Sequence, residues 1–408
     1  MDEARGPEQH TTNEQVSDAA IEQAFLALSP PQRRTVEYAA MMTGGTMPAA
    51  WIASLLEADA ALPAARLSGT PETRIIALPP ATDAGLTPAQ SVVQSLVALQ
   101  LLRPADEHGN QLRLQAQWED WLTRYARQTR TDWPDWIHAI SMCAIERIHA
   151  LEKPVPDTDG EDRRTPRAIA DTSLQWELAP LIDVCKNLWA ATYYLEGLML
   201  GNDLANLLEE VDRLDEAAAC LPLTAEIDAL LADSWFGFML AVPYKTLARV
   251  QWRQDNVPAA IASMQRAIVH LGARLQHMAT TDEPADDMQY FYRGELGRFH
   301  AFLAELYAEQ HDLSAAITHM EQAIAHNDPR VRYRVNEADT DEEVERSWRE
   351  DLALDHASLA SLYAKQSNFP AARASYHTAL TILLADVGED DPEVVHIREA
   401  LRNLDQAE

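Results

Sequence analysis

The chain has 408 residues, 47% of them hydrophobic, and carries 33 basic against 64 acidic side chains for a formal net charge of −31. That composition is globular rather than disordered, and the length allows two to four domains. The acidity opposes the phosphate neutralisation on which nucleic-acid binding relies. The longest apolar run, Trp235 to Val242, falls far short of the roughly 20 residues of a membrane helix, and the polar start MDEARGPEQHTTNEQ lacks the apolar segment of a secretory signal.

In chain order, residues 1–14 read as a disordered tail. Val16 to Leu28 forms a short amphipathic helix. Ser29-Pro30-Pro31 opens a second, to about Met42, with Ser29 as N-cap and proline in the first turn, where its missing N–H costs nothing. Thr43-Gly44-Gly45 ends it. A third helix spans about Pro48 to Glu57. Residues 60–86, rich in Ala, Pro, Gly and Thr, read as a loop with a short strand at Arg74 to Leu78. Thr87-Pro88 opens a helix to about Gln100, and Leu101 to Arg103 can pair with Gln111 to Leu114 as a hairpin. A long helix follows from Asp132 to Lys153, then a polar linker, PVPDTDGEDRRTP, at 154–166. Beyond it the pattern is helix after helix.

The strings LSPPQRRTVEYAAMMTGG, MPAAWIASLLE, VVQSLVALQLLRP and LRLQAQWEDWLTRYA, in that order, resemble the winged-helix module of STAND-type signalling ATPases. The resemblance implies a winged-helix-like domain over 15–130. The chain departs from that family in two ways: a 28-residue insertion separates the helix at Pro48 to Glu57 from that at Thr87 to Gln100, the second and third helices of the module, and no G-x-x-x-x-G-K-[ST] phosphate cradle occurs.

The strongest signal is internal repetition. LARVQWRQDNVPAAIASMQRAI from Leu247, LAELYAEQHDLSAAITHMEQAI from Leu303 and LASLYAKQSNFPAARASYHTAL from Leu359 align without gaps. Each places small residues at three equivalent positions: Ala248, Ala260 and Ala267; Ala304, Ala316 and Ala323; Ala360, Ala372 and Ala379. A bulky residue sits between the last two of each set: Met264, Met320 or Tyr376. Small residues let two antiparallel helices approach, and the bulky one fills the space beside them. Asn256, Asp312 and Asn368 stand where a second helix needs an N-cap. A weaker copy, LANLLEEVDRLDEAAACLPLT, repeats the offsets with Ala205, Leu208, Ala217 and Leu221. The pattern resembles the tetratricopeptide repeat, with first alanines 43, 56 and 56 residues apart, so the basic 34-residue period carries inserts. The continuation ALTILLADVGEDDPEVVHIREALRNL resembles the kinesin-light-chain variety, with Gly388 and Pro392 at its turn. The expected fold is therefore mainly all-α: a disordered tail (1–14), a winged-helix-like domain with a short β-hairpin (15–130), a connecting helix and linker (131–165), and a tetratricopeptide-like α–α superhelix (166–408).

Such arrays bind peptides or proteins along the first helix of each pair. The family's groove positions fall at Met199, Asn202, Asn206, Glu209 and Glu210; Val242, Lys245, Arg249, Trp252 and Arg253; Arg298, Ala301, Glu305, Ala308 and Glu309; and Leu354, Ala357, Ser361, Ala364 and Lys365. Lys245, Arg249 and Arg253 share a helical face through their four-residue spacing. With Trp252 beside them and Asn202, Asn206 and Arg298 flanking, they suggest a basic pocket for an acidic or C-terminal peptide. The competing reading pairs them with Glu209, Glu210 and Asp255.

No chemistry is signposted. Cys143, Cys185 and Cys220 are widely spaced in apolar helical patterns and read as core thiols in a reducing, cytoplasmic setting. Glu146-x-x-His149, Glu393-x-x-His396 and Asp135-x-x-His138 have di-iron spacing but lack bridging glutamates, and His311, His319 and His326 lack supporting ligands, so no metal and no cofactor is expected. No nucleophile motif occurs. Arg163-Arg164-x-x-Arg167 and Arg330-x-Arg332-x-Arg334 are basic segments beside acidic ones. The helix from Thr87 to Gln100, which would be the recognition helix of a winged helix, has no Lys or Arg and makes a poor major-groove reader. The sequence thus points to a non-enzymatic adaptor, sensor or regulatory subunit in bacterial signalling or defence. The alternative is a ligand-sensing transcription regulator with the winged helix on DNA.

Overall fold

A computed structural model of the chain describes residues 18–41, 46–48, 51, 55, 88–99, 101–104, 111–114, 121–122, 125, 133–152, 154–155, 165–166, 177–232, 237–280, 287–334, 342–385 and 387–407. Two compact units divide it, residues 1–207 and 208–408. Among the described residues, no helix is long and apolar enough to cross a membrane.

In the first unit, α1 (Asp18–Ala27) and α2 (Pro30–Met41) are followed by β1 (Thr46–Pro48), α3 (Pro88–Ala98), β2 (Leu102–Pro104) and β3 (Gln111–Leu114). The predicted hairpin forms in the register Leu102↔Leu114, Arg103↔Arg113 and Pro104↔Leu112. On its other side β3 pairs antiparallel with β1, giving the sheet order β1-β3-β2. Three residues after a Gly-Gly pair, the last of them proline, carry no alternation to read; Pro48, expected to open the third helix, instead ends β1. With it, α1–α3 and the three strands make a winged-helix-like arrangement. Val36, Tyr38, Trp51, Leu55, Leu96, Leu102, Leu114 and Leu122 fill its core. The Gln32 side chain accepts from the Ser29 N–H at 2.8 Å and donates to the Ser95 hydroxyl at 2.7 Å, tying the start of α2 to α3. Of the third helix, Trp51 and Leu55 are helical and buried; the strand expected at 74–78 lies outside the described residues.

Then come α4 (Trp133–Glu152), β4 (Pro154–Val155), β5 (Thr165–Pro166), α5 (Leu178–Ala190) and α6 (Tyr194–Glu210). The linker expectation is modified here: β4 and β5 pair antiparallel, so its ends meet. Arg147 on α4 forms a bidentate ion pair with Glu177, which is buried at the start of α5.

The second unit continues α6 into α7 (Leu214–Cys220), α8 (Ala225–Ala232) and a 3₁₀ turn at Gly237–Leu240. Three long hairpins follow: α9 (Ala241–Arg253) with α10 (Val257–Thr280), α11 (Asp287–Glu309) with α12 (Leu313–Arg334), and α13 (Glu342–Lys365) with α14 (Phe369–Leu383). α15 (Pro392–Ala407) closes the series on α14. Each hairpin packs on the next through α10 on α11 and α12 on α13. The fold is mainly all-α, a tetratricopeptide-like superhelix after a winged-helix-like domain.

Nine alanines make this stacking possible. Ala248, Ala260 and Ala267, Ala304, Ala316 and Ala323, and Ala360, Ala372 and Ala379 are all fully buried, with Met264, Met320 and Tyr376 beside them. Ala205, Leu208, Ala217 and Leu221 of the weak copy are buried as well. The turns are equally repetitive. Asp212, Asp255, His311 and Ser367 each adopt a left-handed backbone, φ 58–63°. In each, the next N–H reaches back five residues to a first-helix carbonyl, as from Asn256 to Gln251 (2.9 Å), Asp312 to Tyr307 (2.9 Å) and Asn368 to Tyr363 (2.8 Å). This is the Schellman closure, here without its usual glycine. Asn256, Asp312 and Asn368 then cap the second helices, accepting from Ala259 (3.4 Å), Ala315 (3.0 Å) and Ala371 (3.4 Å). A fifth such turn, at Thr192 (φ 64°), breaks the leading segment between α5 and α6.

Because Ala316 is fully buried among Ala304, Met320 and Ala323, Ala316→Leu overpacks the α11–α12 seam. It is expected to cost about 1–3 kcal/mol, seen as a lowered thermal midpoint by circular dichroism. An equal midpoint would mean that the seam is not closely packed.

Candidate peptide-binding face

The first-helix positions singled out by sequence lie largely on accessible surface. Met199, Val242 and Leu354 are exposed hydrophobics, and Glu210, Arg253, Arg298, Glu305, Glu309 and Lys365 are exposed. Ala301, Ala308, Ala357, Ser361 and Ala364 are half-buried. Asn202 and Asn206, also half-buried, stand on the part of α6 that belongs to the first unit, where Asn202 donates to Asp203 at 3.3 Å.

The cations of α9 do not stand as an open basic pocket. Arg249 binds the Glu209 carboxylate through both Nε (2.6 Å) and a terminal nitrogen (2.5 Å). Arg253 reaches the backbone carbonyl of Glu209 and the Asp212 carboxylate, the latter at 3.0 Å. Lys245 lies 3.7 Å from Glu295 and 5.5 Å from the centre of the Phe299 ring. Arg298 pairs with Glu295 on its own helix and lies 3.7 Å from Asp351 on α13. Trp252 donates to Glu309 at 2.8 Å and meets the Phe302 ring edge-on at 5.5 Å. These contacts run from one first helix to the next, so α6, α9, α11 and α13 are joined by alternating charge along the presumed groove. Of the acids proposed as partners, Glu209 takes the part. Glu210 feels Arg249 but is shifted upward, first by burial and then by the Glu209 charge beside it. Burial, with Glu309 next, also raises Glu305.

Two polar clusters escaped the sequence reading. Asp228 on α8 is buried and accepts from the Tyr244 hydroxyl (2.8 Å), from Arg266, and lies 3.2 Å from His270 Nε2. Tyr244 stacks on His270 at 5.7 Å, and burial, with the Asp228 hydrogen bond next, pushes its phenol upward. The knot fastens α8 to the α9–α10 hairpin. Asp228 lies 16 to 42 residues from these partners, beyond any helical period. The second cluster is a column of rings between α11 and α12. Tyr307 stacks on His319 (5.4 Å), His319 on His300 (5.3 Å) and His300 on His326 (5.6 Å). The Nδ1 atoms of His300 and His319 are 3.1 Å apart, so one donates and the other accepts. Burial foremost, then the charges of His319 and His326, lowers His300 to about 4. Burial also lowers His319 and His326, the latter further through Arg293. The spacing of His319 and His326 was visible in sequence; their convergence on His300 was not.

No group of three or more His, Cys, Asp or Glu among the described residues could hold a metal. His149 of the Glu-x-x-His motif lies 3.4 Å from Asp203 instead. Cys143, Cys185 and Cys220 are buried free thiols, and burial lifts Cys143 to about 12, which leaves it without thiolate reactivity.

No family model matches the chain, and no curated protein matches it. Among solved structures, BtubC (BKLC) from P. vanneervenii is 18% identical, with 62% of this chain and 92% of that one covered and a TM-score of 0.32. A STAND protein with a tetratricopeptide repeat sensor from Pyrococcus horikoshii is 10% identical, with 95% of this chain covered and a TM-score of 0.34. This chain spans 54% of that protein's length. The repeat assignment rests on the turns and buried alanines above.

Burial decides which ion pair matters. The Glu209 side chain is 8% exposed, against 67% for Asp405 in its pair with Arg373. Glu209→Ala is expected to cost about 1–3 kcal/mol and Asp405→Ala under about 1 kcal/mol in denaturant unfolding; equal losses would show that the groove ladder is only a surface effect. For the ring column, the folded His300 titrates below its ordinary value of 6.5, so the unfolded chain binds more protons between 6.5 and about 4. Its stabilisation is complete above that window and is lost as pH falls through it. His300→Phe, which keeps a ring without a titrating nitrogen, should flatten the fall of the thermal midpoint over this range; an unchanged slope would place the acid sensitivity elsewhere.

Proposed function

We propose that the chain is a non-enzymatic recognition module, an adaptor, sensor or regulatory subunit of a signalling or defence system, that seats a peptide or protein segment on its first-helix face. The supporting observation is the division of labour within each hairpin. The alanines repeated at fixed offsets are spent on the seam, whereas the groove positions of α11 and α13 are exposed at Glu305, Glu309 and Lys365 and small and half-buried at Ala301, Ala308, Ala357, Ser361 and Ala364.

The ion ladder refines the sign of the ligand. An acidic peptide must take the place of Glu295 or Asp351 at Arg298, or of Glu209 at Arg249, exchanging one carboxylate for another. Recognition of this kind is selective more than tight, because the exchange conserves charge pairs. The resemblance of residues 15–130 to a winged-helix module of signalling ATPases fits this role better than DNA reading, since α3 (PAQSVVQSLVA) has no basic residue.

Affinity capture on immobilised wild-type chain and on a Glu305→Arg, Lys365→Glu double variant tests the reading. These exposed positions reverse the charge of the face and lie outside the alanine seam. The expected result is a partner retained by wild type and reduced at least ~10-fold, about 1.4 kcal/mol, on a variant with unchanged helicity. Equal retention would remove the first-helix face from the function.

A further inference from the structure

A second polar joint lies between α12 and α13. Asn327 is 3% and Asp355 9% exposed, and the Asn327 amide donates to Asp355 Oδ2 at 2.7 Å. Asn327 Oδ1 is buried with no hydrogen-bond partner. Flipping the amide would not help, for it would set two oxygens together and lose the one donor that Asp355 has. The amide lies directly against the Gly297 backbone of α11, where a Cβ would stand 2.7 Å from Asn327 Oδ1.

A buried carboxylate held by one neutral amide is poorly solvated. Among the described residues, no cation pairs with it. Asp351, on its own helix, adds like charge, and the nearby Arg298 of α11 is engaged with Asp351 and Glu295. His356 on α13 is itself held toward its neutral form by burial, countered by Asp328 on α12. His326 of α12 belongs to the ring column and is likewise lowered. α14 offers that helix Ala372, Tyr376 and Ala379.

We propose that Asn327 and Asp355 form a pH-sensitive latch between successive hairpins: the carboxyl of Asp355 is protonated in the closed joint, and its O–H donates to Asn327 Oδ1 while the amide donates back. Acid and amide then satisfy each other in a closed pair of hydrogen bonds, and both orphaned groups disappear together. Losing the proton leaves a buried anion facing an amide oxygen, which loosens the seat of α13 on α12. Burial, opposed by Asn327 and helped by Asp351, lifts Asp355 to about 7, in keeping with this arrangement. The sign follows: the folded state binds more protons than the unfolded chain between 3.8 and about 7, so this joint strengthens as pH falls through that window and weakens as pH rises. That is opposite to the histidine column, and it makes the two joints of α12 respond to acid in opposite senses.

The test uses the full chain with aspartate labelled by ¹³C at the side-chain carboxyl. Infrared or carbon NMR spectra should show one protonated aspartate at about pH 6 that ionises by about pH 8.5. Asp355→Asn, which keeps both hydrogen bonds without a titrating proton, should lack that signal. Its thermal midpoint should gain on wild type by several degrees over the same range. A wild-type chain with no protonated aspartate at about pH 6, or a midpoint difference constant from about pH 6 to 8.5, would overturn the latch. Should Asp355→Asn not fold, the wild-type spectrum alone decides.

Discussion

The close approach of two helix backbones at buried alanines is the constraint on which the second unit depends. At Ala248/Ala260/Ala267, Ala304/Ala316/Ala323 and Ala360/Ala372/Ala379 no side chain beyond a methyl is present, and every one of these residues is inaccessible. Fixing the seam this way fixes what turns outward. If the second helix lies against one face of the first, the positions offset from that face are left for solvent or ligand. The left-handed residue in each turn belongs to the same constraint. Asp212, Asp255, His311 and Ser367 accept an unfavourable backbone so that the chain reverses within three residues.

Polar contacts between hairpins then supply what the alanine seams cannot, a definite relation of each hairpin to the next. Dispersion between small side chains tolerates sliding. A carboxylate such as Glu209, nearly buried between Arg249 and Arg253, does not, because displacement strands a charge. Lys245–Glu295 and Arg298–Asp351 extend the same restraint from α9 to α11 and from α11 to α13. The basic residues that suggest a ligand pocket in sequence are therefore, in the folded chain, cross-ties of the groove. Any ligand that uses them must substitute for their acids.

How much of this was legible follows from sequence separation. The alanine offsets, the turn residues and the caps Asn256, Asp312 and Asn368 each lie within one hairpin, and local spacing reveals them. So do the α2–α3 order and the β2–β3 hairpin of the first unit. The partners of Arg249, Trp252 and Asp355 lie 40, 57 and 28 residues away, where helical periodicity carries no information. The same is true of the His300 column and of β1, whose pairing with β3 joins segments either side of α3. The three cysteines were placed correctly in the core because small apolar patterning is local.

A photo-cross-linking amino acid placed at Glu305, on the first-helix face, and separately at Ala325, on an exposed position of the second helix, tests the central claim most directly. With a partner from affinity capture in hand, the proposed function predicts a covalent adduct from Glu305 and none from Ala325. Adducts from Ala325 alone would show that the second-helix side of the hairpins does the binding, and would contradict it.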